Sequence, residues 1–236
     1  RVISEITARG HLPLVVGGTG LYIRILTGGL APGHGPDPDR RRFYRETLDR
    51  HGPSYLHELL RKRDSGRAAQ IEPADTFRVI RALELLDSGI DSIRDTLDTH
   101  GFGNQPYDAC KIVLTMDRTR LYNRIDRRVE EMVHRGLADE VRHLAAVYGA
   151  DAPALDAIGY RQMIQYLDGR LALQDAVRII QRDSRRYAKR QMTWFRKEPG
   201  VEWIPHDPDR AQETLRNIEQ RVRRFYEDWY RGTATH

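Results

Sequence analysis

The sequence predicts a mixed α/β fold in which helices predominate. A short apolar run in residues 12–16 is flanked by turn residues, as expected of a buried parallel strand, and residues 108–117 predict a second strand. Most of the remaining chain repeats apolar residues at helical spacing. The 236 residues are 39% hydrophobic and 31% charged, a composition that supports a sizeable core and is not typical of disorder.

The first ten residues predict a helix. Val2, Ile3 and Ile6 follow a helical period, and Gly10 is placed to cap the helix end. The chain opens without an initiator methionine and already in a helical pattern, so we expect it to be part of a longer protein.

A glycine-rich turn, "GGTG", follows the first predicted strand. Residues 12–16 predict a buried strand and residues 21–26 a helix, so Gly17, Gly18 and Gly20 lie at a strand-to-helix switch. Glycine there permits a positive φ and the close approach of a substrate, and open α/β sheets bind ligands at such turns. A tight turn without a ligand is equally compatible with this spacing. The printed chain has no GxGxxG motif here and no P-loop lysine motif.

A Pro- and Gly-rich stretch at residues 28–39 marks a domain boundary. We predict three parts: residues 1–35 as part of an α/β core, 36–107 as a mostly helical insertion domain, and 108–236 as the core continuation, a strand plus helices. The strand in 108–117 is expected to rejoin the sheet of the first strand.

The insertion is predicted to be helical from residue 38 to about residue 97. Its last clear helix has Asp75 as a cap, Gly89 at its end, and Val79, Leu83 and Leu86 as its apolar stripe. The C-terminal part is also predicted to be helical. A core-facing period is carried by Ile125, Val129, Met132, Val133, Leu137, Val141 and Leu144, and a last amphipathic helix by Leu215, Ile218, Val222, Phe225 and Trp229.

The helix predicted for residues 173–196 carries charge of one sign. Eight residues from Arg178 to Lys197 are basic and only Asp183 is acidic, which indicates an anion-binding surface. One face carries Arg182, Arg185, Lys189, Thr193 and Arg196, and a neighbouring face carries Tyr187, Gln191 and Trp194. Cations beside an aromatic stacking surface are typical of binding to unpaired RNA. Two alternatives stay open. In the first, Trp194 and Phe195 belong to the core, and we favour this for the two aromatics taken alone. In the second, the cations are only solvated.

Composition narrows the class of protein. The single cysteine, Cys110, excludes a disulfide framework and a multi-cysteine zinc site, and the nine histidines show no ligand spacing. No apolar stretch has the roughly 20 residues that span a bilayer, so we expect a cytoplasmic protein that does not bind membranes. The net charge of +5 favours an acidic partner, nucleic acid before membrane.

Four motifs in order, "GGTGLY", "DTFRVIRALE", "AIGYRQ" and "YAKRQMTWFR", resemble those of the tRNA dimethylallyltransferase (tRNA isopentenyltransferase) family. The resemblance covers Arg1 to about Trp203. It implies a P-loop-NTPase-like parallel-sheet core, a fold type that binds nucleotides such as ATP, with a mostly helical insertion domain and a helical C-terminal part. Taken alone, Gly159 and Tyr160 would indicate an ordinary helix start.

The resemblance implies transfer of a dimethylallyl group from dimethylallyl diphosphate to N6 of the adenosine 3′ of the anticodon, with Mg²⁺ as cofactor and the tRNA anticodon stem-loop as partner. N6 of adenine is a poor nucleophile, so an enzyme must hold it in line with the allylic carbon and stabilise the departing diphosphate. The adenosine must also leave its loop stack. We expect a monomer.

Residue by residue, the resemblance places Thr19 beside the target adenine and Arg118 and Arg161 at the diphosphate. Gly17, Gly18 and Gly20 form the substrate turn, and Arg78 and Arg81 are the expected phosphate ligands. The predicted tRNA contacts are Arg41, Phe77, Arg78, Val79, Ile80, Arg81, Asp156, Ala157, Ile158, Gly159, Tyr160, Arg161, Lys189, Arg190, Gln191, Met192, Thr193, Trp194, Phe195 and Arg196. No metal ligand is assigned.

The printed chain departs from the family pattern at its start. The family begins with a strand, a GxxxSGK[ST] loop for the diphosphate and an aspartate general base, and none of these occurs in the printed residues. We expect that the core is incomplete, that most Mg²⁺ ligands lie outside the printed residues, and that this chain alone is poorly stable and inactive. A eukaryotic Cys/His zinc finger is absent from these residues, so the sequence resembles the bacterial type.

Two other functions are compatible with parts of the sequence. A non-catalytic, basic, helical RNA-binding protein would use the GGTG turn only structurally and would ignore dimethylallyl diphosphate. A small P-loop kinase would close the basic helix over nucleotide phosphates, but it requires a GK[ST] loop that the printed residues lack.

Overall fold

The structure is a computed structural model that describes residues 1–29, 35, 37–89 and 106–233. It divides into two compact units. The terminal unit comprises Arg1–Gly20 and Cys110–His236, and the central unit comprises Leu21–Ala109. The predicted three-part division at residues 35 and 107 stays a prediction.

Five helices make up the described part of the central unit. They are α2 (Gly20–Gly28, whose first residue belongs to the terminal unit), α3 (Pro38–His51), α4 (Pro53–Arg63), α5 (Ser65–Ala68) and α6 (Thr76–Asp87). The predicted cap is confirmed, since the Asp75 carboxylate accepts a hydrogen bond from the Arg78 N–H at 3.3 Å. Gly89, at φ 87°, follows the end of α6 as predicted. Residues 90–97 of the predicted helical stretch lie outside the described residues.

The core of the central unit forms where α3, α4 and α6 pack together. The predicted stripe of α6 is confirmed: Val79 and Leu83 are fully buried, and Leu86 packs against them. Tyr44 of α3 and Leu56 and Leu60 of α4 fill the space opposite. Burial of such side chains supplies the main driving force for folding of this unit.

The terminal unit contains most of the remaining helices. In chain order its elements are α1 (Val2–Ala8), β1 (Lys111–Thr115), α7 (Arg118–His134), α8 (Leu137–Tyr148), a 3-10 turn (Pro153–Asp156), α9 (Tyr160–Leu167), α10 (Leu173–Phe195), β2 (Val201–Pro205), a second 3-10 turn (Pro208–Arg210) and α11 (Ala211–Thr233). The predicted first helix and its capping Gly10, at φ 74°, are confirmed.

Helices α7 to α10 share one apolar core. Val129, Val141, Met163 and Ile180 are buried there, one from each helix. The predicted apolar period of residues 125–144 therefore runs across two helices, which separate at Gly136, where φ is 93°. This core fixes the orientation of α10, the long basic helix.

The described sheet has two parallel strands, β1 and β2, paired from Lys111 with Val201 to Thr115 with Pro205. A strand in residues 108–117 is confirmed, but the expectation that residues 12–16 form a buried strand whose sheet it rejoins is wrong. Residues 12–16 form no strand, and Leu14 and Val16 are 82% and 85% exposed. An apolar run becomes a strand only where a neighbour pairs its N–H and C=O groups. No described strand lies beside this run.

The C-terminal helix α11 is confirmed, but its buried face differs in part from the prediction. Ile218, Val222 and Phe225 are half-buried as expected, whereas Leu215 is 49% exposed and Thr214 takes the buried position. The side chain of Trp229 lies outside the described residues. None of the described helices is long and apolar enough to cross a membrane.

Candidate functional site

The basic helix α10 divides into two electrostatically different halves. In its first half each predicted cation has a carboxylate partner: Arg178 pairs with Asp175, Arg182 with Asp183, and Arg185 with Asp126 of α7. These pairs neutralise the helix locally. The first half therefore offers little net charge to an anion.

The second half keeps its positive charge. Its exposed cations are Arg186, Lys189 and Arg190, followed directly after the helix by Arg196 and Lys197, and none of these five makes an ion pair with the described residues. The guanidinium of Arg190 lies 5.6 Å from the centre of the Tyr187 ring, a cation–π distance. The predicted anion-binding surface is thus narrower than the sequence indicated and lies around residues 186–197.

The aromatic side chains at this end of α10 have different surroundings. Phe195 is 7% exposed, so its predicted place in the core is confirmed. Trp194 is only half-buried, and Tyr187 is 41% exposed. Tyr187 is therefore the aromatic ring beside the cations with the most surface available for stacking on a base.

The GGTG turn contacts this end of α10 directly. The Gln191 side-chain amide donates a hydrogen bond to the Gly18 carbonyl oxygen at 3.0 Å. A Cβ atom on Gly18 would lie 2.2 Å from Gln191 Nε2, and one on Gly20 would lie 2.1 Å from Trp194 Cδ1. The predicted substrate turn and the predicted RNA-binding helix are therefore parts of one arrangement within the terminal unit.

The expected reason for the glycines is partly wrong. Gly17, Gly18 and Gly20 do not have positive φ values. Gly18 and Gly20 are required because Gln191 and Trp194 come too close for a side chain, whereas a Cβ on Gly17 would meet none of the described atoms within 4 Å. Thr19, between them, is exposed and immediately precedes α2.

The "AIGYRQ" motif forms a turn that α10 also holds. Gly159, at φ 100°, donates its N–H to Gln162 Oε1 at 2.8 Å, and the buried Gln162 donates from Nε2 to Asp183 Oδ2 at 3.1 Å. Arg161 is half-exposed, with its guanidinium 3.5 Å from Asp183 and 3.9 Å from Asp156. The turn is thus a helix start that is fixed to α10 through Asp183.

Asp183 and Gln162 are the residues that sequence reasoning missed. Asp183 is the only acid in the run of cations, and Gln162 ends the quoted motif, so both were visible in the sequence. Their link across 3.1 Å depends on how α9 packs against α10, which no spacing reveals. The neighbouring Tyr160 hydroxyl donates to Glu140, and this hydrogen bond raises the pKa of the tyrosine.

Arg118 is the first residue of α7 and is exposed. Its guanidinium lies 5.1 Å from the centre of the Tyr122 ring.

At the carboxyl ends of β1 and β2 there is a cavity of about 510 Å³ lined by residues that include Thr115, Asp117 and His206. Of the predicted site residues, all of which lie in the described ranges, none lines this cavity.

In the central unit, the predicted cations pair with carboxylates. Arg41 binds Glu84 through two hydrogen bonds of 2.6 and 2.9 Å, and Arg81 binds the same carboxylate at 3.0 Å. Burial would raise the pKa of Glu84, but the hydrogen bonds from both arginines outweigh it, so the pKa lies below its usual value. The Glu84 side chain is 1% exposed, so these arginines stabilise the unit whatever else they contact.

The predicted tRNA contacts of α6 differ in accessibility. Phe77 is 70% exposed and Arg78 is exposed with Asp75 3.2 Å away. Val79 and Ile80 are buried in the core, so their side chains do not reach a partner at the surface. The RNA contacts assigned to this segment stay predictions.

Among the described residues, no group of three or more His, Cys, Asp or Glu side chains could hold a metal ion. The expected Mg²⁺ stays a prediction, without ligands assigned to it.

Residues 1–198 match the protein family described as IPP transferase. The chain is 42% identical to a tRNA dimethylallyltransferase of Geobacter sulfurreducens over 87% of its length and 67% of the relative's. It is 43% identical to a tRNA dimethylallyltransferase of Symbiobacterium thermophilum over 97% of its length and 71% of the relative's.

The chain is also similar to solved structures. The full-length tRNA isopentenylpyrophosphate transferase of Bacillus halodurans has a TM-score of 0.61 and 37% identity, over 97% of this chain and 73% of its own. A eukaryotic dimethylallyltransferase acting on tRNA, at 23% identity, has a TM-score of 0.68 over 98% of this chain and 60% of its own, which shows a shared fold.

Proposed function

We propose, because this chain belongs to the IPP transferase family, that it transfers a dimethylallyl group from dimethylallyl diphosphate to tRNA. The acceptor is N6 of the adenosine 3′ of the anticodon. The names of the relatives support transfer to tRNA, and the four motifs of the sequence support the acceptor position. The proposed substrate implies a cytoplasmic enzyme, which we expect to act as a monomer with a P-loop-like core.

One contact carries the proposal: the hydrogen bond of 3.0 Å from Gln191 to the Gly18 carbonyl. It joins the turn that contains Thr19 to the part of α10 whose cations have no ion-pair partners among the described residues. A surface that attracts RNA phosphates therefore lies next to the turn that we assign to the acceptor base.

The reaction forms a bond between N6 and the terminal allylic carbon and breaks the bond from that carbon to the diphosphate oxygen. The electron pair leaves with the diphosphate, and N6 loses one proton to a base. We assign Thr19 to the side of the adenine, and Arg118 and Arg161 to the developing charge on the diphosphate. None of the described residues is assigned as the base, and no proposed step uses Mg²⁺.

The phosphates of the anticodon stem-loop are assigned to the exposed cations of α10, with further contacts from Arg41, Arg78 and Arg81. Such contacts position a nucleic acid without reading its sequence. The base must then be unstacked and turned into the site, which costs a few kcal/mol. Binding energy from the phosphates offsets that cost.

The test is transfer of labelled dimethylallyl from its diphosphate to an unmodified tRNA with adenosine 3′ of the anticodon, using the protein as its gene encodes it. A second tRNA with guanosine at that position is the control. Label on the adenosine tRNA alone would support the proposal. Tight binding of both tRNAs without any label transfer would overturn it in favour of a non-catalytic RNA-binding protein.

A further inference from the structure

We propose that Gln191 and Trp194 are positioning residues that hold the GGTG turn, and with it Thr19, for transfer to the acceptor base. This inference rests on the proposed function. The family resemblance placed both residues among the RNA contacts, whereas the structure places both side chains against the turn. They would therefore govern the rate of transfer more than the affinity for tRNA.

The first support for this role is the hydrogen bond of Gln191. Its amide nitrogen lies 3.0 Å from the Gly18 carbonyl oxygen, and the side chain is half-buried. A carbonyl oxygen requires a donor, and a neutral amide supplies one without bringing a charge next to the reacting groups. A glutamate here would place an acceptor against an acceptor.

The second support is that Gly20 has no space for a side chain. A Cβ on Gly20 would lie 2.1 Å from Trp194 Cδ1 and 2.2 Å from Trp194 Nε1. The indole ring is rigid, so it cannot bend away as a long side chain can. Because the next residue, Phe195, is buried in the core, the ring belongs to a fixed part of α10. The turn and the helix thus fit together only when residue 20 has no side chain.

The third support is the position of these residues on α10. Gln191 and Trp194 lie within the same two turns of helix as the exposed Lys189, Arg190 and Arg196. A single helix segment therefore sets the distance from the phosphate-binding cations to Thr19. A bound tRNA would be held in register with the turn, and a displacement of about 1 Å in such an arrangement can cost on the order of 100-fold in rate.

Gln191→Glu tests the proposal in the natural gene product. We expect kcat for dimethylallyl transfer to fall by roughly 10- to 100-fold, with KM for tRNA changed by less than about threefold. Gln174→Glu is the matched control, because it makes the same substitution at an exposed position near the start of α10. Lys189→Gln is expected to give the opposite split, a higher KM with little change in kcat.

The pH profile separates positioning from loss of folding. A protonated glutamate can donate to the Gly18 carbonyl, so the activity of Gln191→Glu relative to the unsubstituted enzyme should rise as pH is lowered from 8 to 5.5. A variant that is only misfolded would show a constant ratio. Circular dichroism of both proteins over this pH range checks that each remains folded.

A second variant, Gly18→Ala, tests the contact between Gln191 and Gly18 by changing the residue in the turn. The alanine Cβ would displace the Gln191 amide, so kcat should fall as in Gln191→Glu. In a Gln191→Ala background the Gly18→Ala substitution should cost much less, because the two residues act through one contact. Strict additivity of the two effects on kcat would overturn the proposal.

The proposed function and this inference fail in different ways. An unsubstituted enzyme that transfers no label would refute the proposed function, and the inference with it. An active enzyme whose Gln191→Glu variant keeps its kcat, or loses only affinity for tRNA, would refute the inference alone.

Discussion

Charged side chains are used differently in the central unit and at the end of α10. In the central unit Arg41, Arg81 and Arg63 are bound to the carboxylates of Glu84 and Asp87. At the end of α10 the cations Lys189, Arg190 and Arg196 are exposed, and no ion pair to the described residues holds them.

The difference shows that a cluster of arginines does not by itself identify a binding surface. An arginine whose partner is buried stabilises the fold, because desolvation of the carboxylate is offset only while the pair is intact. A cation that is exposed and unpaired adds little to stability but attracts phosphates. Burial of the partner, not the number of cations, shows which arginines the fold itself requires, whatever else they contact.

Glu84→Gln should have the largest effect on stability. It removes the charge that two arginines share inside the central unit, and the Glu84 side chain is 1% exposed. We expect a loss of about 2 to 3 kcal/mol in the free energy of unfolding, below the range for fully buried pairs because both arginines are partly exposed. Denaturant unfolding monitored by circular dichroism measures it. The matched control is Glu58→Gln, whose partner Arg61 is on the same exposed helix face. If both variants unfold at the same denaturant concentration, an ion pair to a buried carboxylate stabilises this protein no more than an exposed one.

Gly20→Ala tests whether shape, and not charge, holds the turn to α10. Its Cβ would overlap the Trp194 ring, and overpacking of this kind costs about 1 to 2 kcal/mol. Gly17→Ala adds the same methyl group where the described atoms leave space for it. Thermal unfolding of the two variants should therefore show a lower Tm for Gly20→Ala. Equal Tm values would mean that the contact with Trp194 is not tight in solution.

Lys189→Gln sharpens the comparison within α10 itself. We expect its Kd for unmodified tRNA to rise by roughly 3- to 10-fold at low salt and the salt dependence of binding to weaken by about one counterion. Arg178→Gln removes a cation that Asp175 already neutralises, so its effect should be less than about twofold. Filter binding at several salt concentrations measures both. A loss of affinity in Arg178→Gln as large as in Lys189→Gln would show that the whole helix binds RNA.

Lowering the pH should reduce the stability of the central unit, where arginines are bound to carboxylates. The cations at the end of α10 have no such ion pairs with the described residues to lose. Burial would raise the pKa of Asp87 and of Glu84, but hydrogen bonds from Tyr44 and Arg63 to Asp87, and from two arginines to Glu84, keep both pKa values below their usual range. The stability that these pairs contribute is present above about pH 4.5 and is lost as pH falls further, because the unfolded carboxylates take up protons first. Unfolding of the Glu84→Gln variant should depend less on pH between 5 and 3. An unchanged pH dependence would mean that Glu84 does not contribute to it.

The sequence was sufficient wherever a local rule governs the backbone. Asp75 and Gly89 mark the ends of α6 because a capping carboxylate and a positive-φ glycine act within a few residues. The helical period also predicted the apolar stripe of α6, where Val79 and Leu83 are buried. The four motifs were sufficient to identify the family, because their order along the chain is specific.

Contacts between distant residues were decided by the tertiary structure. The pairing of β1 with β2 joins residues about 90 positions apart, and the apolar run at 12–16, predicted as a buried strand of the same sheet, is not a strand. Pairing depends on which segment lies beside a strand, and an apolar pattern does not specify that neighbour.

The amino-acid sequence by itself determined the helices, their caps, the net positive charge and the family of this protein. Only the tertiary structure decided which cations are neutralised and why Gly18 and Gly20 have no side chain. Ion pairing and steric fit both act over a few ångströms between elements that are far apart in the chain, so they depend on how α10 packs. The reason for the GGTG turn is therefore found in Gln191 and Trp194, more than 170 residues further along the chain.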